Sequence, residues 1–137
     1  MKLITRDTDY AVRALCFIAR RKKRLTSATE LVAVLNVPRS FLRKILQILN
    51  KKSILKSYKG RGGGFALALA PKKIFLLDLM RIFQGPLKIN ECMLKDAPCP
   101  DKGVCQLRKK IDNIQGHIIA ELKEITLASL LKKGAKK

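Results

Sequence analysis

Apolar residues recur at helical spacing in the first part of the chain, and the pattern predicts a first helix from about Thr8 to Ala19. Its apolar face carries Val12, Leu15, Cys16 and Ala19. The segment Ser27-Ala28-Thr29-Glu30 then has the pattern of a capping box, in which the Ser hydroxyl and the Glu carboxylate satisfy opposite backbone amides. This motif predicts the start of a short second helix that ends near Asn36.

A third helix is predicted from Pro38 to about Asn50, because proline suits the first turn of a helix and the following residues divide between two faces. One broad face is apolar and carries Phe41, Leu42, Ile45, Leu46, Ile48 and Leu49. The opposite face carries Arg39, Ser40, Arg43, Lys44, Gln47 and Lys51. Two short helices joined by a tight turn, the second one basic on its outer face, are typical of a helix-turn-helix.

Two strands are predicted after the third helix, from Ile54 to Tyr58 and from Phe65 to Ala70. The segment that joins them is Lys59-Gly60-Arg61-Gly62-Gly63-Gly64. A basic hairpin directly after a helix-turn-helix is a wing, and its glycines let the backbone approach a phosphate or a groove wall closely. The alternative is a flexible hairpin tip. The glycine cluster lacks the Gly-Lys-Ser/Thr ending of a nucleotide-binding loop.

A long amphipathic helix is predicted near the C-terminus by apolar residues at intervals of three and four. The stripe consists of Leu107, Ile111, Ile114, Ile118, Leu122 and Ile125. A helix of this length after a complete small domain has little of its own chain to cover it, so the stripe favours a homodimer. The alternative is that the helix folds back on the preceding domain. A further short helical turn is predicted over Thr126 to Leu131.

These elements predict a mainly α fold with a small β-wing, a winged helix-turn-helix followed by a long C-terminal dimerisation helix. The length of 137 residues fits one small domain with an oligomerisation arm. The predicted organisation is a DNA-binding domain over residues 1–84, a cysteine-containing loop over 85–105, a dimerisation helix and turn over 106–131, and a basic tail over 132–137.

The charge balance adds a partner to this picture. The chain has 30 Lys and Arg against 10 Asp and Glu, a formal net charge of +20. No acidic residue lies between Glu30 and Asp78, so the helix-turn-helix and the hairpin are strongly basic. A double-stranded DNA operator is therefore the predicted partner.

The predicted DNA-binding residues come from the third helix and the wing. The major groove would be faced by Arg39, Ser40, Arg43, Lys44 and Gln47, and the backbone or the minor groove by Lys56, Lys59 and Arg61. Arg39 and Arg43 are the candidates for guanine recognition, because arginine meets two acceptors on one base edge. Phosphate contacts by the same two residues remain the alternative.

Other classes of function fit the sequence less well. A nonspecific RNA-binding basic protein would explain the net charge but not its concentration on one helix face and one hairpin. No nucleophile, base and orienting group suggest an enzyme, and no small-molecule substrate is expected. No apolar stretch is long enough for a membrane span, and Asp7 and Asp9 interrupt what a signal peptide would keep apolar, so we expect a cytoplasmic protein without membrane contact.

Cysteine is the remaining candidate for chemistry. Cys16 lies on the apolar face of the first helix, where a core thiol is expected. Cys92, Cys99 and Cys105 lie in a segment containing Pro98, Pro100 and Gly103, which favour a loop that wraps an ion or a cluster. Their wide spacing argues mildly against zinc, and from spacing alone an iron–sulfur cluster, zinc and plain reduced thiols all remain open.

The chain resembles the Rrf-two family of winged-helix transcription regulators, which has IscR-like and NsrR-like branches. The matching segments are Thr8-Asp9-Tyr10-Ala11-Val12-Arg13-Ala14-Leu15, Val37-Pro38-Arg39-Ser40-Phe41-Leu42, Gly60-Arg61-Gly62-Gly63-Gly64-Phe65, the three-cysteine segment and Thr126-Leu127. The resemblance implies a homodimer paired through the long helix. It also implies that Cys92, Cys99 and Cys105 hold an iron–sulfur cluster beside the partner's DNA-binding domain.

Two positions depart from the most familiar members. The gap between the first two cysteines is one residue longer, and Arg108 stands where the IscR-like branch has a histidine ligand. Arginine stays protonated and cannot bind a metal. The NsrR-like branch instead uses an aspartate in the first helix of the other subunit, and Asp9 occupies that place. The resemblance therefore implies Asp9 as the fourth ligand, of a four-iron rather than a two-iron cluster.

Alternatives for these ligands stay open. Asp9 as a helix cap or a first-turn acid is the structural explanation for that residue. His117 is expected to be an exposed helix residue, and Glu91 and Asp96 are the fallback ligands. The predicted function is thus a bacterial regulator whose operator binding responds to an iron–sulfur cluster and thereby senses nitric oxide, iron, oxygen or cluster status. A cluster-free winged-helix regulator with a thiol or zinc switch is the alternative.

Overall fold

A computed structural model of the chain describes residues 2–21, 25–89 and 105–132. Its elements are α1 (Arg6–Arg20), α2 (Ala28–Leu35), α3 (Arg39–Lys51), β1 (Leu55–Tyr58), β2 (Gly64–Leu67), a 3₁₀ turn (Pro71–Lys73), α4 (Leu76–Gln84), α5 (Gln106–Lys123) and α6 (Leu127–Leu131). Cys92, Cys99, Glu91, Asp96 and the basic tail after Lys132 lie outside the described residues. The mainly helical fold with a two-strand antiparallel sheet agrees with the prediction.

The first helix begins earlier than predicted because Thr5 caps it. The Thr5 hydroxyl accepts a hydrogen bond from the backbone N–H of Thr8, so the helix starts at Arg6. Its buried face is small and closely packed, with Ala11, Ala14 and Leu15 fully inaccessible to solvent. Alanine at two of these positions lets neighbouring helices approach the α1 backbone closely.

The helix-turn-helix forms as predicted, with one correction at its cap. The Ser27 hydroxyl accepts from the Glu30 N–H at 3.1 Å, as expected. The Glu30 carboxylate, however, pairs with the Arg21 guanidinium instead of the Ser27 backbone amide. Arg21 ends α1, so an ion pair between helices replaces half of the predicted capping box.

The turn and the third helix match the sequence pattern closely. Asn36 ends α2 in the left-handed region, at φ 53°, where asparagine is tolerated better than most residues. Pro38 lies just before α3 rather than inside it. The inner face of α3 consists of Leu42, Ile45, Leu46 and Leu49, all buried.

The wing is a hairpin whose inner edge is fixed to the helix-turn-helix. Leu55 pairs with Leu67 and Tyr58 with Gly64, and β2 ends at Leu67, three residues before the predicted end. Phe65 exchanges backbone hydrogen bonds of 3.1 and 2.8 Å with Thr26, just before α2. The sheet therefore continues through Thr26, which ties the wing to the start of the helix-turn-helix.

The chain returns to the DNA-binding domain after the long helix. The Leu76 N–H donates to the Ile125 carbonyl at 3.0 Å, and the Leu127 N–H donates to the Ile74 carbonyl at 2.8 Å. Leu127, the first residue of α6, is buried in the same core as α1 and α3. The predicted turn over Thr126 to Leu131 is thus a helix that completes the core, with Thr126 as its cap.

The two ends of the apolar stripe on the long helix differ in burial. Leu122 is buried against α4, and Ile118 and Ile125 pack beside it. Leu107 and Ile114, nearer the start of α5, are 68% and 49% exposed. The prediction that the whole stripe pairs with a second subunit is therefore wrong for its C-terminal part, because the Ile125 and Leu127 backbone bonds hold that part against the chain's own α4. Within the described ranges no helix is long and apolar enough to cross a bilayer.

Candidate nucleic-acid interface

The outer face of α3 is polar and free for contact. All five side chains predicted to face the major groove are exposed: Arg39, Ser40, Arg43, Lys44 and Gln47. They share one face because α3 buries the opposite one against α1 and α2. An exposed helix face with two arginines, one lysine and two hydrogen-bonding neutral residues suits both phosphates and base edges.

Arg39 differs from Arg43 in its surroundings. Arg39 Nη2 donates to the Thr29 hydroxyl at 3.1 Å, which joins the first residue of α3 to the first turn of α2. Arg43 lies one turn further along α3 and makes no hydrogen bond or ion pair with any residue that the structure describes. The sequence pattern gave no sign of this difference, because both residues lie on the same face.

The wing presents its basic residues to solvent. Lys56, Lys59 and Arg61 are exposed, and the hairpin turns through Gly60 and Gly62 at positive φ. At Gly63 a Cβ atom would overlap the carbonyl oxygen of Tyr58 and lie 2.8 Å from that of Gly60. Any side chain at this position would therefore force the turn open, so glycine is required by the backbone rather than by flexibility alone.

Two further residues near this face, Arg6 and Tyr58, were not predicted from the sequence to contact DNA. The Arg6 guanidinium carbon lies 4.6 Å from the centroid of the Phe41 ring, which also meets Tyr10 edge to face at 5.7 Å. Arg6 thus places a positive charge beside the first turn of α3. Tyr58, at the end of β1, is 48% exposed and adjoins Lys59. The sequence could have indicated Tyr58 as a nucleic-acid contact, because it is an aromatic residue at the end of a basic hairpin.

The acid of the second helix, Glu30, is paired within the fold. Partial burial raises the pKa of the Glu30 carboxyl, but the hydrogen bond and charge of Arg21, together with Ser27, outweigh it, so the pKa lies below its ordinary value. Glu30 is therefore ionised at neutral pH and paired with Arg21. Its negative charge is largely compensated before DNA approaches.

The structure describes two of the four cysteines, Cys16 and Cys105, and they differ in burial. Cys16 is buried on α1, and desolvation raises the pKa of its thiol despite the opposing charge of Arg20. A buried protonated thiol of this kind is a poor metal ligand, as predicted. Cys105 is half-buried and immediately precedes α5.

Asp9 is a first-turn acid rather than a cap. Thr5 is the cap of α1, so the cap explanation for Asp9 is wrong. Its carboxylate accepts from Arg13 Nε at 3.1 Å, and its side chain is 48% exposed. An exposed pair of this kind is worth about 0–1 kcal/mol, so it leaves the carboxylate available to another partner.

The remaining candidates near the cysteine segment are ordinary surface residues. Arg108 points a guanidinium nitrogen at Asp112 from 3.9 Å, and His117 is exposed on α5, as expected. Among residues 2–21, 25–89 and 105–132, no three His, Cys, Asp or Glu side chains gather into a metal site. The half-buried Cys105 thiol and the exposed Asp9 carboxylate are both open to a further partner.

A helix-turn-helix followed by a glycine-rich basic hairpin, with a polar recognition face on the second helix, defines a winged-helix DNA-binding regulator. The family model of Rrf2, described as an iron-dependent transcriptional regulator, matches residues 4–133. The chain belongs to the Rrf2 family, the family that its motifs resemble, and the members of this family are transcription regulators rather than enzymes.

Two relatives are similar in sequence to this chain over nearly its full length. An HTH-type transcriptional regulator from Aquifex aeolicus is 32% identical over 132 residues, which cover 94% of this chain and 92% of that protein. The repressor NsrR of Streptomyces coelicolor is 28% identical over 130 residues, covering 93% and 87%.

Solved structures share the fold. CymR of B. subtilis, a global cysteine regulator, superposes with a TM-score of 0.79 at 23% identity, over 96% of this chain and 97% of its own. IscR of T. potens superposes with a TM-score of 0.74 at 22% identity, over 100% and 94%. The chain is a DNA-binding transcription regulator, so the alternative interpretation of it as a nonspecific RNA-binding protein is set aside.

Proposed function

We propose that the chain is a cytoplasmic, homodimeric regulator that binds an operator through α3 and the wing, and whose operator binding responds to an iron–sulfur cluster. The observation that carries the DNA-binding part is the shared exposure of the polar α3 face and the basic wing, held together by the Thr26 and Phe65 bridge. Because that bridge is a pair of backbone hydrogen bonds, the wing and the helix-turn-helix approach the duplex as one unit.

The proposed roles of individual residues follow from their exposure. Ser40, Lys44 and Gln47 would contact base edges or phosphates in the major groove beside Arg43. Lys56, Lys59 and Arg61 would hold the backbone or the minor groove from the wing. The side chains on α3 and the wing are exposed without competing acids between Glu30 and Asp78, which favours approach to a polyanion.

The cluster would be held by Cys92, Cys99 and Cys105, with Asp9 of the partner subunit as the fourth ligand. Support comes from the accessible Cys105 thiol, the accessible Asp9 carboxylate and a family described as iron-dependent. When bound, such a cluster supplies a centre that reacts with oxidants or small gases. A carboxylate is a harder and more labile ligand than a thiolate, which suits a reactive cluster, and a four-iron cluster is proposed.

The dimer would form through the exposed start of α5. Leu107 and Ile114 lie on the same stripe as Ile111, and their exposure gives an apolar face that residues 2–21, 25–89 and 105–132 leave uncovered. Pairing two such faces would place two DNA-binding domains on one duplex, which is how helix-turn-helix proteins read paired half-sites.

Anaerobic purification tests the proposal directly. We expect a coloured protein with visible absorption of an iron–sulfur cluster and with matching amounts of iron and acid-labile sulfide. A duplex selected from a randomised DNA library should bind with different affinity before and after removal of the cluster. A colourless protein that binds zinc, or whose DNA binding changes only on thiol oxidation, would replace the cluster with a zinc or thiol switch.

A further inference from the structure

The two arginines on the outer face of α3 are held differently, and the difference assigns them different roles. Arg39 is the first residue of α3 and donates from Nη2 to the hydroxyl of Thr29 in the first turn of α2, at 3.1 Å. Both side chains are exposed, so the pair is oriented by the protein and still open to a ligand. Arg43 has no such partner among the described residues.

We infer that Arg39 and Thr29 form one composite contact to a backbone phosphate of duplex DNA, and that recognition of a guanine by arginine belongs to Arg43 alone. This inference rests on the proposed DNA binding through α3 and names how two residues divide that work. The shared hydrogen bond is the observation that distinguishes them.

The direction of the Arg39 side chain supports a phosphate rather than a base. The Cα–Cβ bonds of a helix tilt toward its N-terminus, so a side chain on the first residue of α3 reaches back toward α2. In a helix-turn-helix the first helix crosses the DNA backbone while the second enters the groove. A guanidinium bonded to the first turn of α2 therefore lies with the helix that meets the backbone.

The hydrogen-bonding capacity of the pair suits a phosphate as well. A guanidinium has five N–H donors, and one of them is used on Thr29. The Thr29 hydroxyl accepts that bond and keeps its own proton free to donate. The two side chains together thus present several donors to one group of acceptor oxygens, which a phosphate supplies and a guanine edge does not.

The neighbouring acid, Glu30, does not oppose the proposed phosphate contact. Glu30 follows Thr29 directly, and an unpaired carboxylate there would repel a phosphate. Its carboxylate is instead paired with Arg21. The ion pair between α1 and α2 therefore protects the positive potential around Arg39 and Thr29.

Affinity measurements on the full-length protein separate the two roles. A randomised duplex library selected by the wild type supplies the operator, and a scrambled duplex of the same composition is the second probe. Arg39→Ala should weaken both duplexes alike, on the order of tenfold, and should reduce the slope of log affinity against log salt by about one. The sequence preference recovered by Arg39→Ala from the library should equal that of the wild type.

Two further variants complete the test. Thr29→Val keeps the shape and removes the hydroxyl, so it should weaken both duplexes, and the double variant with Arg39→Ala should lose clearly less than the sum of the two single losses. Lys123→Ala removes one exposed charge on α5 and should leave all values unchanged. Circular dichroism melts check that each variant stays folded.

Several results would overturn the inference. Loss of preference at one operator position in Arg39→Ala, with scrambled-duplex affinity and salt slope unchanged, would make Arg39 a base reader. Additive losses in the double variant would show two separate contacts. Failure of the proposed function itself looks different, since the wild type would then select no sequence and neither Arg43→Ala nor Lys59→Ala would change binding.

Discussion

The hydroxyl of Thr8 donates a hydrogen bond to Oε1 of Gln84 at 2.8 Å, which joins the first turn of α1 to the last residue of α4. Thr8 is fully buried, so Gln84 is the partner that satisfies a group hidden from water. The same amide oxygen accepts from the Thr5 N–H at 3.1 Å, and Gln84 Nε2 donates to the Leu3 carbonyl at 2.9 Å. One side chain thus holds the start of the helix that carries Asp9.

Gln84→Ala should therefore destabilise the whole protein by about 1–3 kcal/mol, because the buried Thr8 hydroxyl loses its 2.8 Å acceptor and keeps only the 3.2 Å contact with the Thr5 hydroxyl. Denaturant unfolding followed by circular dichroism measures the loss. Gln115→Ala is a less damaging comparison, since its amide oxygen accepts one bond, from the Ile89 N–H at 3.1 Å on a partly buried surface. Equal losses in the two variants would show that the Gln84 network has no special role.

The wing is expected to depend on Gly63 for its shape and on Lys59 for its charge. Lys59→Ala should weaken every duplex alike and flatten the salt dependence, because a lysine that contacts a phosphate carries no sequence information.

Gly63→Ala should weaken DNA binding without removing a charge, because the added Cβ collides with the Tyr58 carbonyl and opens the turn. Gly116→Ala, where a Cβ has open space, is the matched control.

These outcomes are separable by anisotropy titrations at several salt concentrations. Unchanged affinity in both Lys59→Ala and Gly63→Ala would remove the wing from the interface.

Much of this architecture was predictable from local patterns. The helix-turn-helix and the hairpin follow from the spacing of apolar residues and from the Ser27, Asn36 and Pro38 signals, because such caps and turns act within a few residues. The α4 helix received no assignment of its own. It has only two charged residues, Asp78 and Arg81, because its other faces pack into two cores, with Leu79 in one and Leu76, Leu77 and Met80 in the other.

The features that escaped prediction join distant parts of the chain. Thr26 pairs with Phe65, Gln84 bonds Thr8, and α6 enters the core beside α1. None of these contacts leaves a periodic signal, because each depends on the packed positions of elements far apart in sequence. The stripe on α5 has the opposite problem, since a single periodic pattern cannot show that one end is buried against α4 while the other is exposed.

The two ends of that stripe should respond differently to substitution. Ile114→Glu should shift the protein to a monomer and cost the subunit itself less free energy of unfolding than Leu122→Ala does, because this side chain is 49% exposed and belongs to the proposed dimer face. Leu122→Ala should instead cost about 2–5 kcal/mol of stability, because Leu122 is buried in its own chain. Sedimentation velocity and denaturant unfolding measure the two effects.

A monomeric wild type at micromolar concentration would contradict the proposed dimer. An Ile114→Glu variant that unfolds as readily as Leu122→Ala would place Ile114 in the subunit core instead.

Stability at low pH should depend on Glu30. The pKa of its carboxyl is lowered in the fold, because Arg21 and Ser27 outweigh the effect of partial burial. A group whose pKa is lower in the folded state contributes stability above its ordinary pKa and loses it as pH falls through the folded pKa. Glu30→Gln should therefore lower the melting temperature at pH 7, and the difference from the wild type should shrink below about pH 4.

Glu121→Gln, an exposed change on α5, is the control and should leave the melting curve alone at both pH values. A wild-type advantage over Glu30→Gln that persists unchanged into acid would mean that the Arg21 pair does not stabilise the fold through its charge.

The proposed cluster makes the sharpest distinction among the cysteines. Replacing Cys92, Cys99 or Cys105 by alanine should abolish cluster assembly under anaerobic reconstitution, because each removes one proposed thiolate ligand. Cys16→Ala should assemble the cluster as the wild type does, because Cys16 is buried on α1 and the pKa of its thiol is raised by desolvation. Visible absorption with iron and sulfide assays reads out each variant. A cluster that survives the loss of Cys105 would remove that residue from the ligand set.

Asp9→Ala tests the fourth ligand in the same assays. Among the described residues the Asp9 carboxylate bonds only Arg13, on the exposed side of α1, so removing it should cost little stability while making the cluster labile or changing its spectrum. Arg13→Ala is the matched control, because it breaks the same exposed pair and keeps the carboxylate. We expect Arg13→Ala to retain a cluster with the wild-type spectrum. If Asp9→Ala holds a spectrally identical cluster of equal stability, Asp9 is only a first-turn acid and the fourth ligand lies elsewhere.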